Sequence, residues 1–485
     1  MNKLFGVLAL VAAVLGGALV IGAQRFVPRQ IDVAPAAPIQ IDVDGAAQRL
    51  SRAIRHRTVS PVDSASQAEF ERFHAFLTES FPALHKRVAR ATVNQHSLLY
   101  TWQGTRAELK PILLLAHMDV VSADAKAALR WRHPPFSGQI ADGFIWGRGA
   151  MDDKASVMGI LEAVELLLAQ GFQPERTLYL AFGHDEEIGG ENGAAKIAQL
   201  LASRNIQVEF LLDEGMNIFS GVIDGVAAPV ALIGVAEKGY LSIQLSAQAA
   251  GGHSSIPPAE TAIGGVSRAL QRLDANPFQA KLRSPTREMF DFLAPEMAWS
   301  KKLALGNLWL FEPLVTNQLA RSPLTNALLR TTLAPTIFNA GVKENVLPTQ
   351  ASAVINLRIM PGETTTGALE QLRQAIDDPK IELTPMPIRM EPSAVSDIES
   401  ASFKLLQRTI RETVPDVIVA PSLLVAATDS RHYAGLTKYI FRFVPITLTA
   451  EDTKRYHGID ERVSIVDYLR CINFYAQLIK NSTAQ

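Results

Sequence analysis

From about Asp44 onward, short continuous apolar runs alternate with stretches of helical periodicity. Ala47, Leu50 and Ile54 recur at helical spacing and stop before Thr58-Val59-Ser60. Ile112 to Ala116, Thr177 to Phe182 and Val208 to Leu212 are too short for helices and read as buried strands. Lys154 to Ala169 instead places Val157, Leu161, Val164 and Leu168 at helical spacing. Such alternation predicts an α/β domain with a mostly parallel sheet and helices on both faces. The pattern changes near Tyr240. Leu241 to Ser246 alternates with period two, Gly251-Gly252 marks a turn, a helix follows from about Ala259 to Leu273, and Ala351 to Met360 alternates again. This predicts a smaller α+β insertion over 240–386, dividing the main domain into 44–239 and 387–485. A helix at Ser402 to Thr413, a strand at Tyr439 to Val444 and a helix at Val463 to Ile479 complete the main domain. Pro277 to Thr325 reads only as a helical elaboration within the insertion.

The N-terminus has a different pattern. Leu4 to Ala23 carries no charge and is about the length a helix needs to cross a bilayer. Residues 1–27 are therefore expected to be a retained membrane anchor or a signal segment, with Ala18 and the small Gly16 as a cleavage alternative. Lys3 precedes the segment and Arg25 and Arg29 follow it, so charge does not decide its orientation. The catalytic body is expected outside the cytoplasm, periplasmic or extracellular. Residues 28–43, with Pro28 to Pro38 rich in Pro and Ala, read as a spacer.

At 485 residues the chain is long enough for two domains, and 48% hydrophobic with 20% charged residues is a globular composition. Lys plus Arg is 47 and Asp plus Glu is 48, so no bulk charge draws the protein to nucleic acid, and none is expected as a partner. The one cysteine, Cys471, rules out an internal disulfide and a thiolate metal cluster and reads as a small buried side chain.

The chemistry sits where the apolar runs end. His117-x-Asp119 follows Leu113-Leu114-Leu115-Ala116, Glu186-Glu187 follows Leu178 to Phe182, and Asp213 follows Phe210-Leu211-Leu212. Open α/β sheets bind ligands at the carboxyl ends of their strands. Asp152-Asp153 lies in a Gly-flanked turn before a helix, and His457 comes nearly a whole chain later. Imidazoles with carboxylates are the ligand set of divalent cations, and a spare carboxylate beside them is what hydrolysis needs. Adjacent Glu186 and Glu187 at a buried strand end are costly unless cations compensate, and one could ligate while the other takes a proton. Asp119 could orient the His117 ring or a neighbour. Gly147-x-Gly149 lacks the third glycine of a dinucleotide fingerprint, and no P-loop, G-x-S-x-G elbow or His-Glu-x-x-His is present.

Ala116-His117-Met118-Asp119, Gly147 to Lys154, Asp185 to Gly190, Gly252-His253-Ser254-Ser255 and Tyr456-His457-Gly458 together resemble the aminoacylase/carboxypeptidase family of di-zinc exopeptidases. Within it the chain looks like the carboxypeptidase S (Gly-Xaa carboxypeptidase) subgroup, which includes N-acyl-amino-acid hydrolases. The resemblance covers about Asp44 to the C-terminus. It implies a zinc-exopeptidase-like fold with an inserted lid or dimerisation domain, and two Zn2+ ions, with Co2+ or Mn2+ as substitutes. Asp152 would bridge them, His117 and Asp213 completing one site and Glu187 and His457 the other. Glu214 would then be a neighbouring or surface residue. Glu186 would be the general base, Asp119 would support the ligands, and the Asp152–Asp153 peptide would be cis. His253 would stabilise the oxyanion, often across a homodimer formed by the lid. Arg358 and Asn339 would bind a substrate carboxylate, and Thr428 to His432 would lie near the substrate. No metal is assigned to His184 or His432, and His56, His74, His85, His96 and His133 read as structural or surface groups.

The resemblance thus implies hydrolysis of an amide bond next to a C-terminal amino acid with a free carboxylate. Small peptides are one substrate class and N-acyl amino acids, cleaved by the same mechanism, the alternative. A membrane-tethered binding protein on a retired peptidase fold is the remote alternative, opposed by the intact set of ligands and base.

Overall fold

The computed structural model describes residues 2–37 and 39–483; Met1 and, from the expected spacer, Pro38 lie outside them. Among the described residues the larger sheet has ten strands. Its centre is parallel: Leu178–Gly183 pairs with Ile112–His117, which pairs with Leu211–Asp213, which pairs with Ile440–Arg442. Ser97–Trp102 and Ala89–Val93 extend one side antiparallel, and Val230–Glu237 continues the other, itself paired in parallel with Ile418–Leu424. Every residue of Ile112–His117 and Leu178–Gly183 is buried, as expected of strands covered on both faces.

One helix shows how the sequence produces this layer. Lys154–Ala169 is so apolar that its buried positions extend around most of its circumference. It packs against the sheet, against Val43–Arg55 and against the C-terminal helix Ile465–Thr483, where Gly159 faces Cys471 and Tyr475. Cys471 is fully buried, as its setting in the sequence indicates.

The chain leaves the large sheet at Glu237 and enters a second, antiparallel one at Gly239. Its strand order is Thr332–Ala340, Gln350–Ile359, Gly239–Gln248, Ile381–Met390. Gln350–Ile359 alternates buried and half-buried positions along most of its length. Helices Ala262–Ala275 and Thr365–Ile376 supply Val266, Ala269 and Leu372 to a separate apolar core beneath this sheet. Helices Thr286–Leu293, Trp299–Gly306 and Leu308–Leu319 lie within the interval 240–386 but belong elsewhere. Met289, Phe290, Phe292, Leu293, Met297 and Leu308 join the larger core, and Thr286–Leu293 packs on strand Ile418–Leu424.

The N-terminal helix Asn2–Gln24 projects from the body: the most apolar window of Leu4–Gln24 has no buried residue. The segment read as a spacer is instead laid along the body. Gln30 exchanges hydrogen bonds with the Val419 main chain at 3.0 and 2.8 Å, and Gln407 donates to the Arg29 carbonyl at 2.8 Å.

Phe474 is fully buried, with its ring centroid 5.4 Å from that of Phe443. Phe474→Ala is expected to cost about 3–5 kcal/mol through the cavity it leaves. Leu129, 89% exposed, should tolerate Ala within about 0.5 kcal/mol. Urea unfolding midpoints of the two variants check this, and similar midpoints would contradict the placement of the core.

Candidate active site

Five segments converge at one edge of the parallel sheet. His117 ends strand Ile112–His117, Glu186 and Glu187 form the short turn Glu186–Ile188 beyond Leu178–Gly183, and Glu214 follows Leu211–Asp213. Asp152 precedes helix Lys154–Ala169, and the Asp152–Asp153 peptide is cis. His457 arrives on the loop before strand Arg462–Ser464.

Asp152 stands at the centre. Its Oδ1 lies 2.9 Å from His117 Nε2, which also lies 3.3 Å from Glu214 Oε1. Its Oδ2 lies 3.1 Å from His457 Nε2, which lies 3.0 Å from Glu187 Oε2. Two groups able to hold a cation result: His117, Asp152 and Glu214, and Asp152, Glu187 and His457. They share a single carboxylate, and their mix of imidazole nitrogen and carboxylate oxygen suits a borderline divalent ion such as zinc.

The expected ligand Asp213 is not in either group. Its Oδ2 accepts from the Ser430 main-chain N–H at 2.8 Å and its Oδ1 from that of Glu214 at 2.9 Å. Consecutive residues of an extended chain point to opposite sides, so only one of this acidic pair can face His117. That residue is Glu214, and the expectation that it is a supporting or surface group is corrected accordingly.

Supporting side chains hold the ligand-bearing turns. Asp119 is fully buried; its Oδ1 and Oδ2 accept from the main-chain N–H groups of Glu186 and Glu187 at 3.1 and 3.2 Å, and Ser60 donates to it at 2.6 Å. His117 Nδ1 lies 2.9 Å from the Asp119 carbonyl, which fixes the ring so that Nε2 faces Asp152. Asp185 accepts from the N–H groups of Asn192 and Gly193, both at 2.8 Å, and closes the turn behind the two glutamates.

Sequence reasoning missed the Arg148–Glu461 pair. Arg148 donates to Glu461 at 2.6 Å and to the carbonyls of His457 and Gly458 at 3.3 and 3.0 Å, while Glu461 accepts from the main-chain N–H of Met151 at 2.9 Å. The pair joins the His457 loop to the Asp152 turn. Its sole sequence signal is a glutamate four residues after His457. Asp429 lies in the loop expected near the substrate, but its state was not foreseen. It is buried with neither carboxyl oxygen hydrogen-bonded, and a side chain at Gly183 or Gly190 would collide with it.

The electrostatics follow from crowding. Burial pushes the Glu214 carboxyl up to about 7, with Asp152 adding to the rise and His117 opposing it. Burial also pushes Glu461 up to about 7 and lifts Glu186 well above the usual carboxylate range. Hydrogen bonds to Asp152 and then Glu187 raise His457 to about 10. Negative charge is thus in excess, and the arrangement calls for positive charge at its centre.

The remaining expected residues are not brought to this cluster within one chain. His253 is exposed, and its ring bonds Ser255 Oγ at 2.7 Å. Asn339 is exposed on edge strand Thr332–Ala340. Arg358 is half-buried opposite Tyr240, its guanidinium carbon 4.9 Å from the ring centroid, and it forms no ion pair among the described residues. His184 bonds Ser97 at 2.6 Å, and His432 donates to the Gly189 carbonyl at 2.9 Å.

The family model of peptidase family M20/M25/M40 matches residues 113–481. The chain belongs to this family. It is 44% identical over 493 aligned positions to a probable carboxypeptidase S-like 2 of Dictyostelium discoideum, covering 99% of this chain and 93% of that protein. It is 40% identical to the N-fatty-acyl-amino acid synthase/hydrolase PM20D1 of Mus musculus, covering 95% of this chain and 91% of that protein. Its fold resembles that of the M20 family metallo-carboxypeptidase Sso-CP2 of Sulfolobus solfataricus, with a TM-score of 0.67, 16% identity, and 91% and 99% of the two chains covered. The protein is accordingly a metal-dependent hydrolase of the M20 family, and its mainly parallel larger sheet with a smaller antiparallel unit matches M20 peptidase folds that carry a lid domain.

Glu214→Ala is expected to lower the cation content of the purified protein, whereas Asp213→Asn should leave it unchanged. Elemental analysis after dialysis distinguishes them, and the reverse order would restore Asp213 as the ligand.

Proposed function

We propose that the protein is a di-zinc exopeptidase of the carboxypeptidase type, cleaving an amide bond next to a C-terminal amino acid with a free carboxylate. The observation that carries this reading is Asp152, whose two oxygens each face a separate imidazole–carboxylate group. His117, Asp152 and Glu214 would hold one zinc ion, and Asp152, Glu187 and His457 the other. When bound, zinc supplies acidification of a water molecule and polarisation of the substrate carbonyl.

The chain's own groups do the rest. Glu186 makes no side-chain hydrogen bond among the described residues, and its main-chain N–H is fixed by Asp119. It is therefore free to take a proton from the attacking water and return it to the leaving amine. Its lifted pKa suits a group that must both accept and release a proton. Arg358 offers an unpaired planar guanidinium, a fit for the substrate carboxylate, with Asn339 as a second polar contact. His253 is exposed on the smaller unit and suited to reach the site of a second copy, where it would donate to the oxyanion. The N-terminal helix anchors the catalytic body to a membrane from the non-cytoplasmic side.

A second reading has a specific basis. Identity of 40% to a mouse fatty-acyl-amino acid synthase/hydrolase favours N-acyl amino acids as substrates of the same chemistry. Both substrates end in a free carboxylate, so Arg358 has one role in either case.

Glu186→Gln is expected to lower kcat by roughly 10²- to 10⁴-fold while the zinc content is kept. Retained turnover would remove Glu186 from its role. Arg358→Ala is expected to raise KM by roughly 10- to 100-fold for substrates with a free carboxylate, the loss of charged hydrogen bonds. If the parent enzyme cleaves C-terminally amidated substrates equally well, that role fails. Turnover of Gly-Leu-type peptides against fatty-acyl amino acids decides between the two substrate classes.

A further inference from the structure

Helix Leu308–Leu319 turns its least suitable face to solvent. Trp309 is 65% exposed, Leu310 44% and Leu314 66%, and Pro313 is exposed between them. Positions 309, 310, 313 and 314 fall on one side of an α-helix. The preceding helix Trp299–Gly306 begins with Trp299, 51% exposed. Glu312 is the one charged residue of Leu308–Leu319. A water-facing helix normally carries its charged and polar residues outward; the first two turns of this one expose apolar residues instead, and exposed polar residues, Asn317 and Gln318, come only in its last turn.

The N-terminal helix meets the body at this corner. Asn307 Nδ2 donates to the Leu19 carbonyl at 2.8 Å, Arg25 donates to the Gly306 carbonyl at 2.6 Å, and Gly22 packs directly on Gly306 with no room for a side chain. Residues after the helix are pinned to the body through Gln30 and Arg29, which fixes the helix relative to the corner. Residues 4–18 are exposed throughout. At 1.5 Å per residue, the 23-residue helix is roughly 34 Å long, and a bilayer's hydrocarbon layer is about 30 Å thick. A helix of this length that crosses a bilayer leaves its docked last turn, and therefore the apolar corner, at the membrane surface. Tryptophan is the residue favoured at that depth.

We propose that the Trp309–Leu310–Leu314 face, together with Trp299, is a second membrane contact that inserts into the interfacial layer of lipid acyl chains beside the N-terminal helix. The surface makes the body monotopically attached as well as tethered, and sets its orientation on the bilayer. The proposal rests on the reading of the N-terminal helix as a membrane span.

The test uses the full chain reconstituted with phosphatidylcholine vesicles whose acyl chains carry bromine, a contact quencher of tryptophan. Trp102, Trp131 and Trp146 are buried in the body, so Trp299 and Trp309 are the exposed reporters. Emission is expected to fall in brominated relative to plain vesicles, and the fall to be abolished by Trp299→Phe combined with Trp309→Phe. Failure of the full chain to float with the vesicles would overturn the membrane reading and this proposal with it. Flotation with no quenching, or with quenching unchanged in the double variant, would overturn this proposal alone. A face buried instead between two copies of the chain gives that unquenched outcome.

Discussion

The site is governed by a concentration of buried carboxyl groups around two imidazoles. Asp152, Glu186, Glu187 and Glu214 approach His117 and His457, with Asp119, Asp153, Asp213, Asp429 and Glu461 close behind. Carboxylates out of water repel one another and resist ionisation, which is why burial and mutual charge lift Glu214 and Glu461 to about 7. Arg148 and the two histidines answer only part of that charge. Divalent cations are the remaining way to ionise the cluster, so cation affinity is a consequence of the packing and not an addition to it.

Holding like charges together requires a rigid frame, and the frame is made of main chain gripped by side chains. Asp119 binds the N–H groups of Glu186 and Glu187, Asp185 closes the turn behind them, and Glu461 binds the N–H groups of the Asp152 turn while Arg148 binds the carbonyls of the His457 loop. Asp119, Asp185 and Glu461, which face neither cation group, thus each fix a turn that carries residues that do. Such outer partners are what give a site its geometry. Asp213 has the same kind of place: it gave its position toward His117 to Glu214 and spends its own oxygens on Ser430 and Glu214.

That exchange shows where sequence reading stops. The apolar runs before His117, Glu186 and residue 213 were legible because a buried parallel strand needs nearly every residue apolar, and the strands stand where those runs lie. Which of two adjacent acids faces inward depends on the last peptide of the strand, and composition carries no trace of it. Helices 286–319 fall in the stretch read as a helical elaboration, but their place on the larger core was illegible for a different reason. Their apolar residues pack onto strand Ile418–Leu424, distant in sequence, so their periodicity has no local partner to explain it. The Arg148–Glu461 pair is likewise a tertiary meeting of two ordinary charged residues, separated by 313 positions.

The two units divide the proposed labour. Glu186 and the cation groups lie at the edge of the large sheet, whereas Arg358 and Asn339 lie on the small one. Arg358 is opposite Tyr240, one residue beyond Gly239 where the small sheet begins, and so stands at the junction rather than at the far end. Lys238, buried at that junction and bonded at 2.8 Å to the carbonyls of Ala327 and Arg330, ties the crossing strand to the chain that leads into Thr332–Ala340. Burial pulls its ammonium down to about 7, Glu363 opposing the fall and Arg358 and Arg283 adding to it. A substrate carboxylate brought to Arg358 would be a countercharge to a guanidinium that forms no ion pair among the described residues, so binding there would relieve its repulsion with Lys238 as well as form hydrogen bonds. A substrate held this way must reach from the small unit to the large one. In an α-amino acid one Cα separates the scissile amide from the carboxylate whatever the side chain, so in the proposed reading a single distance between Arg358 and the cation groups would serve every terminal residue.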